Sequence, residues 1–383
     1  MTIEPRSMLP LGEITSRRQV PTPALVVDLD VMLANIATMA RGAAASGVSL
    51  RPHVKSHKSA YIARLQLDAG AVGLSSAKIS EARAVVQRLS VDGSRERVPV
   101  LITSPVVGPD SAARVVALAA LCDLAVVVDD PAGVDELARA TISSDVSLKV
   151  LGDVDVGLGR TGVAGPQPAL RVVERIRAAD SLSFAGVQGY GGHLQHIKGR
   201  DARLNATKAA SELLFEVVDA LESNGHPVGL RTGGGTGTSD IDFEIGLLNE
   251  LQAGSYVFMD REYREALGSD PEGRYQQSLT IATTVISANH SDYVTVDAGL
   301  KAMATDVGSP LVRGHEDSVT YEFFGDEHGL VTNGRDVAFQ RGDRLELVPP
   351  HCDPTVDRYD FIWLVRGDDV IGVADVVARG CSQ

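Results

Sequence analysis

The chain has 383 residues, 44% of them hydrophobic and 22% charged, which is enough for two domains and a sizeable core. Its formal charge of -14 excludes a non-specific nucleic-acid or anionic-membrane binder, because phosphate contacts need basic patches. Cys122, Cys352 and Cys381 are too few and too scattered for a disulfide framework.

In chain order, one rhythm repeats from about Thr22 to Asp260: a β-rich run, a turn, then an amphipathic helix. ALVVDL leads to LDVMLANIATMARGAAASG, GVSLRPHV to SAYIARLQLDAG, AVGLSSA to KISEARAVVQRL, and VPVLITSPV to PDSAARVVALAA. LAVVVDD with PAGVDELARAT and SLKVLGDVDVG with PQPALRVVERIRAA continue it. FAGVQGY then precedes a helix over 205–223, and a further strand lies near GLRTGGG. Apolar strands with intervening helices point to an α/β fold with parallel strands. About seven or eight units suit a (β/α)8 TIM barrel better than a doubly wound sheet. Residues 22–268 are assigned to it.

After about Asp270 the runs become short and alternating: SLTIATTVISANH, DYVTVDAGL, VTYEFFGDEHG, DRLELVPP, DFIWLVRG and VIGVADVVARG. This predicts a mainly β domain over 269–383, with residues 1–21 packed against it. Neither a signal peptide nor a membrane-spanning window is read, so a soluble, cytoplasmic protein is expected.

Barrels place chemistry at strand ends. LRPHVKSHK, Leu50 to Lys58, ends one of them. An exposed lysine is usually a solvated charge, but Lys55 sits between His53 and His57, where burial and cationic neighbours suit a Schiff-base lysine. RTGGGTGTSD, Arg231 to Asp240, ends another strand, with glycines at four of the five positions from Gly233 to Gly237. It reads as an anion cradle or as a plain tight turn, and it matches neither a Walker A loop nor a dinucleotide fingerprint. Arg160, in DVDVGLGRTG, is suited to a phenolate or carboxylate oxygen, or to a surface ion pair. Tyr190 can stack on a planar ring, and His193 and His196 follow it. An amine, an anion loop, a guanidinium and an aromatic ring together make a nest for pyridoxal phosphate.

PPHCDPTVDRYD carries His351, Cys352 and Asp353. In an extended segment His351 and Asp353 point the same way, able to share one ion, with Cys352 opposite as a buried small hydrophobe. Such a pair admits manganese, magnesium, zinc or cobalt, and a purely structural role for the segment stays open.

TPALVVDLDVMLANI, RPHVKSHK, AVGLSSAKISEA, DVGLGRTGV, GGGTGTSD with ELQAGSYVFMD, and HCDPTV together resemble the D-threonine aldolase and D-serine dehydratase family, over about Thr22 to Gly380. The resemblance implies a fold-type III, alanine-racemase-like pyridoxal-phosphate enzyme that forms homodimers. It implies Lys55 as the cofactor lysine, with His53 beside it, Arg160 near the phenolic oxygen and Tyr190 near the ring. Gly234, Gly235, Thr236 and Gly237 correspond to the phosphate loop, completed by Gly254, Ser255 and Tyr256. His351 and Asp353 correspond to the metal pair, manganese being favoured. A metal-bound hydroxide, His193 and His57 are the candidate bases. D-Serine dehydratases resemble His-x-Cys at the metal site and D-threonine aldolases His-x-Asp, so the sequence favours retro-aldol cleavage of a small D-3-hydroxy-amino acid. Dehydration of D-serine or D-threonine to a 2-oxo acid is the alternative.

Overall fold

The computed structural model describes residues 14–91, 97–142, 144, 146–268, 274–334 and 337–383. The chain divides into two compact units. One comprises Met1–Thr38, Ser56–Ile62 and Ser255–Gly380, the other Met39–Lys55, Ala63–Gly254 and Cys381–Gln383.

After a 3-10 turn at Arg17–Gln19 come strand β1 (Ala24–Asp28) and helix α1 (Leu29–Ala45). The second unit then holds eight parallel strands: β2 (Ser49–Leu50), β3 (Leu74–Ser76), β4 (Pro99–Ile102), β5 (Asp123–Val128), β6 (Leu148–Asp153), β7 (Leu182–Gly189), β8 (Leu230–Gly233) and β9 (Glu250–Leu251). A helix follows each in the chain: α2 (Ala60–Asp68), α3 (Ile79–Val91), α4 (Pro109–Ala119), α5 (Pro131–Ile142), α6 (Pro166–Arg177), α7 (Arg200–Ser223), α8 (Ser239–Ile245) and α9 (Arg261–Leu267). The sheet runs β2-β9-β8-β7-β6-β5-β4-β3. Its ends meet through a parallel bridge between His53 and Ser75, with Ser75 N–H donating to Pro52 O at 2.8 Å. The barrel therefore closes on the segment that carries Lys55.

Local sequence explains these elements. In α6, Gly165 caps the helix, Pro occupies its first turn where no donor is lost, and Ala169, Val172, Val173 and Ile176 form one buried stripe. Inside the barrel Leu101, Val127 and Leu151, from three adjacent strands, form an apolar layer.

The first unit is built on a nine-stranded sheet. To β1 it adds β10 (Leu279–Ser287), β11 (Tyr293–Val296), β12 (Leu311–Val312), β13 (Tyr321–Phe323), β14 (Gly329–Thr332), β15 (Arg344–Val348), β16 (Phe361–Arg366) and β17 (Asp369–Asp375). Its main path is β13-β14-β11-β10-β1-β16-β17, with β15 also on β10 and β12 on β15. Helix α10 (Cys352–Val356) lies between β15 and β16 in the chain.

Two readings of the sequence are corrected here. The ALVVDL run was expected to open the barrel rhythm, but β1 pairs antiparallel with β10 and parallel with β16. A central strand of a mixed sheet and a barrel strand are both apolar on two faces, so periodicity does not separate them. The eighth barrel strand is β9, two residues long and invisible to any periodic reading. The HCDP segment is not extended either: His351 has extended backbone and caps α10, which begins at Cys352.

Of the leading residues, Thr15 O accepts from Val370 N–H at 2.9 Å and Val20 packs with Val26, Trp363 and Val373, while residues 1–13 lie outside the described residues. Among the described residues no helix is long and apolar enough to cross a membrane.

Candidate active site

Within the second unit the expected site residues collect on one rim. Arg160 follows β6, Tyr190 follows β7, Gly234 to Gly237 follow β8, Gly254 follows β9, and Lys55 follows β2. These five strands are consecutive in the sheet, in the order β6-β7-β8-β9-β2. All are parallel, so every one of these residues lies at a C-terminal strand end, with neighbouring strands about 4.8 Å apart.

Lys55 is half-buried in a single 3-10 turn, Val54–Ser56. Its N–H donates to His53 Nδ1 at 3.3 Å, and His53 Nε2 lies 3.1 Å from Thr103 Oγ1. With Nδ1 accepting, the Nε2–H tautomer of His53 donates to Thr103, whose hydroxyl donates to Ser76 O at 3.3 Å. His53 is thus a buried brace for the lysine turn. Deeper in the barrel, Gln188 Nε2 donates to Thr103 O at 3.0 Å and to Asp153 Oδ1 at 2.8 Å, while Gln252 Nε2 donates to Gln188 Oε1 at 3.1 Å. Burial pushes the Asp153 carboxyl up to about 6, against the hydrogen bonds from Gln188 and Thr161. Nothing in the sequence singled out this network, because glutamine and threonine are unremarkable until the barrel closes around them.

The glycine loop is assembled around two side chains that the sequence did not mark, Gln195 and Asp242. Gly237 N–H donates to Gln195 Oε1 at 2.9 Å, and Gln195 Nε2 donates to Gly191 O at 3.1 Å and Thr238 Oγ1 at 3.2 Å. Thr238 Oγ1 in turn donates to Asp242 Oδ2 at 2.7 Å, and Gly235 N–H is also held by the Asp242 carboxylate. A Cβ at Gly237 would strike the Gln195 carbonyl, and Gly234 adopts φ +64 against Asp242. Glycine is therefore demanded by close approach within the protein, and the loop is built before any anion arrives.

Burial pushes the Asp242 carboxyl up to about 7, opposed by the Thr238 hydrogen bond. The fold thus favours its neutral form. The stability this gives is complete below the unfolded pKa of about 3.9 and is lost as pH rises through about 7. Asp242→Asn lacks that titration. Its melting temperature, measured relative to the native protein, should be more favourable at pH 8 than at pH 5, and a difference that stays flat with pH would show that Asp242 does not ionise on this scale.

Arg160 is exposed, its guanidinium carbon 5.4 Å from the centre of the Tyr190 ring. Three carboxylates shape its loop: Asp155 Oδ1 accepts from Gly157 and Gly159 N–H at 3.0 Å, Asp153 Oδ2 from Thr161 Oγ1 at 2.8 Å, and Asp129 Oδ2 from Gly162 N–H at 3.0 Å. His193 is exposed on the turn Gly192–Leu194.

The first unit carries the other expected residues. His57 is fully buried, with Nδ1 accepting from Ser59 N–H at 3.1 Å. Tyr256 is fully buried and tilted against Tyr275, ring centres 5.8 Å apart. Ser255, expected beside a phosphate, lies 3.3 Å from Ser56 Oγ and donates to Asp353 Oδ1 at 3.2 Å.

His351 and Asp353 are set by α10. Buried Asp260, unmarked in the sequence, fixes the entry: its Oδ1 accepts from Tyr263 N–H at 2.9 Å and its Oδ2 from Cys352 N–H at 2.8 Å. Burial, with the Asp260 and Asp353 carboxylates alongside, pushes the Cys352 thiol far up, so the sulfur keeps its proton. Burial alone would lower the His351 pKa, but the Asp353, Asp306 and Asp260 carboxylates more than reverse this and raise it. Among the described residues no group of three or more His, Cys, Asp or Glu converges as a closed metal cage. A histidine–carboxylate pair that leaves its remaining positions to water fits an oxygen-preferring divalent cation.

The rim's donor set likewise fits pyridoxal phosphate: an amine on a braced turn, a preformed glycine cradle, and a guanidinium over an aromatic ring. The comparisons with known proteins agree. The alanine racemase N-terminal domain family matches residues 27–262, and a second family, named for serine dehydratase, matches 278–365. The chain is 36% identical to the D-threonine aldolase of an Arthrobacter species, covering 95% of this chain and 94% of that one. It is 36% identical to the 3-hydroxy-D-aspartate aldolase of Paracoccus denitrificans strain Pd 1222, covering 94% and 93%. The crystal structure of D-threonine aldolase from Filomicrobium marinum superposes with a TM-score of 0.90 at 34% identity, over 96% of this chain and 98% of that one. The chain belongs to the alanine-racemase-like, fold-type III pyridoxal-phosphate enzymes and is a lyase of the D-threonine aldolase type.

Proposed function

We propose that the protein cleaves a D-3-hydroxy-amino acid, D-threonine or a close relative, between Cα and Cβ to give glycine and an aldehyde. Pyridoxal phosphate would be held by Lys55 and the Gly234–Gly237 loop, and a divalent cation, manganese in the first instance, by His351 and Asp353. The observation that carries this reading is the donor set at α10. Cys352 is fully buried with its Sγ donating to Asp353 Oδ1 at 3.3 Å, which supports the carboxylate two residues on as the second donor beside His351. Two relatives that share 36% of the sequence are aldolases by name, which supports the same choice.

When bound, the cofactor supplies an electron sink for the charge left at Cα, and the cation lowers the pKa of a coordinated hydroxyl. The protein's own groups do the rest. Lys55 would hold the cofactor through its amine and, when the substrate's amine takes that place, would carry the proton returned to Cα. Arg160, over Tyr190 on its carboxylate-bound loop, would neutralise the cofactor's ring oxygen. The β-hydroxyl proton needs a base. Buried His57 and exposed His193 are the candidates for it. A cation held by His351 and Asp353 would, by binding the β-oxygen, favour alignment of the Cα–Cβ bond for cleavage. A homodimer, expected from the resemblance, belongs to the same reading.

The test is product analysis with pyridoxal phosphate and manganese present. D-Threonine should give glycine and acetaldehyde, lost with EDTA and restored by manganese. Pyruvate from D-serine, or 2-oxobutyrate from D-threonine, without glycine would replace this reading with dehydration.

A further inference from the structure

His351 caps α10 without using its ring: no cap hydrogen bond comes from the side chain. The ring instead meets a residue 45 positions upstream, with Nδ1 2.7 Å from Asp306 Oδ2. We propose that Asp306 is a positioning residue for the cation site, holding His351 as the Nδ1–H tautomer so that Nε2 is the nitrogen offered to the metal. This role rests on the cation pair of the proposed function, His351 with Asp353, and adds to it a third residue that does not bind the ion.

The segment bearing Asp306 is built against α10. Ala304 N–H donates to Thr355 Oγ1 at 3.1 Å, and the same hydroxyl donates to His351 O at 2.6 Å. Tyr359 Oη donates to Ala302 O at 2.6 Å. Ala302, Met303 and Ala304 are all buried. Asp306 therefore hangs from a fixed stretch tied to the helix whose cap it faces, rather than from a free loop tip. The carboxylate accepts the Nδ1 proton, and that one bond does three things: it sets the tautomer, fixes the ring plane and makes Nε2 a better donor. Asp306 would not itself ligate the cation through the oxygen engaged by His351. Its side chain is about half exposed, with 50% relative accessibility, so the effect belongs at the lower end of what partners of metal-bound histidines provide.

The experiment is manganese binding to the full-length holoenzyme, followed by the electron paramagnetic resonance signal of free Mn2+, with melting temperature and the cofactor's visible absorbance recorded alongside. Asp306→Ala should raise Kd by about tenfold. Asp306→Asn, which keeps an acceptor oxygen and loses the charge, should fall between Asp306→Ala and the native protein. Melting temperature and cofactor absorbance should not move in either variant. If Asp306→Ala does not fold, Asp306→Asn alone decides: a loss of about threefold supports the role and an unchanged Kd overturns it. His351→Ala and Asp353→Ala serve as references. Should both bind manganese as the native protein does, the cation pair itself is wrong. Should both lose binding while Asp306→Ala stays within about twofold of native, the pair stands and the positioning role of Asp306 is overturned.

Discussion

Lys55→Ala should lose about a thousandfold or more in turnover and, with it, the visible absorbance of a lysine-bound cofactor. The size of the effect comes from the lysine's two duties, covalent attachment and proton return to Cα, neither of which another residue on the rim duplicates. Lys55 sits on a turn whose N–H is held by His53, itself locked by Thr103, so alanine at 55 removes the amine while leaving that brace intact. Circular dichroism and melting temperature should therefore stay near native. A variant that keeps even a tenth of native activity would remove Lys55 from the chemistry.

Asp353→Ala should lose about a hundredfold or more in metal-dependent turnover, and excess manganese should restore part of it. Asp353 is half-buried, accepting from Ser255 Oγ at 3.2 Å and from Cys352 Sγ at 3.3 Å, and Ser255 also has Ser56 Oγ at 3.3 Å. The neighbouring position provides the contrast. Cys352 is enclosed, its N–H bound by Asp260 and its thiol held protonated, so Cys352→Ala should keep activity within about threefold. Equal losses at 352 and 353 would contradict the division of labour within HCDP.

The barrel was legible in the sequence because its helices carry clean stripes, such as Ala169, Val172, Val173 and Ile176, and its strands are apolar on both faces. That same two-faced burial hid the destination of β1, which looks like a barrel strand and pairs in the other sheet. β9 had no signal to read at two residues. An extended HCDPTV would put His351 and Asp353 on one face, yet Pro354 lies in the first turn of α10, where a missing N–H costs nothing. Residues with distinctive chemistry, Lys55, Arg160, the glycines and His351, announced themselves. Gln195, Asp260 and Asp306 did not, because each becomes meaningful only when folding sets it against a segment far away in the chain, and Asp242, whose partners Thr238 and Gly235 are close in sequence, carries no signal until it is buried.

Retro-aldol chemistry requires that the bond broken at Cα is the one to Cβ and not the one to hydrogen. D-Threonine carrying deuterium at Cα separates the two, since cleavage leaves that deuterium in place while dehydration must remove it. Mass spectrometry of the first turnovers, with pyridoxal phosphate and manganese present, should find glycine bearing a single deuterium, and no 2-oxobutyrate. Formation of 2-oxobutyrate with the label released to water would contradict the retro-aldol account outright.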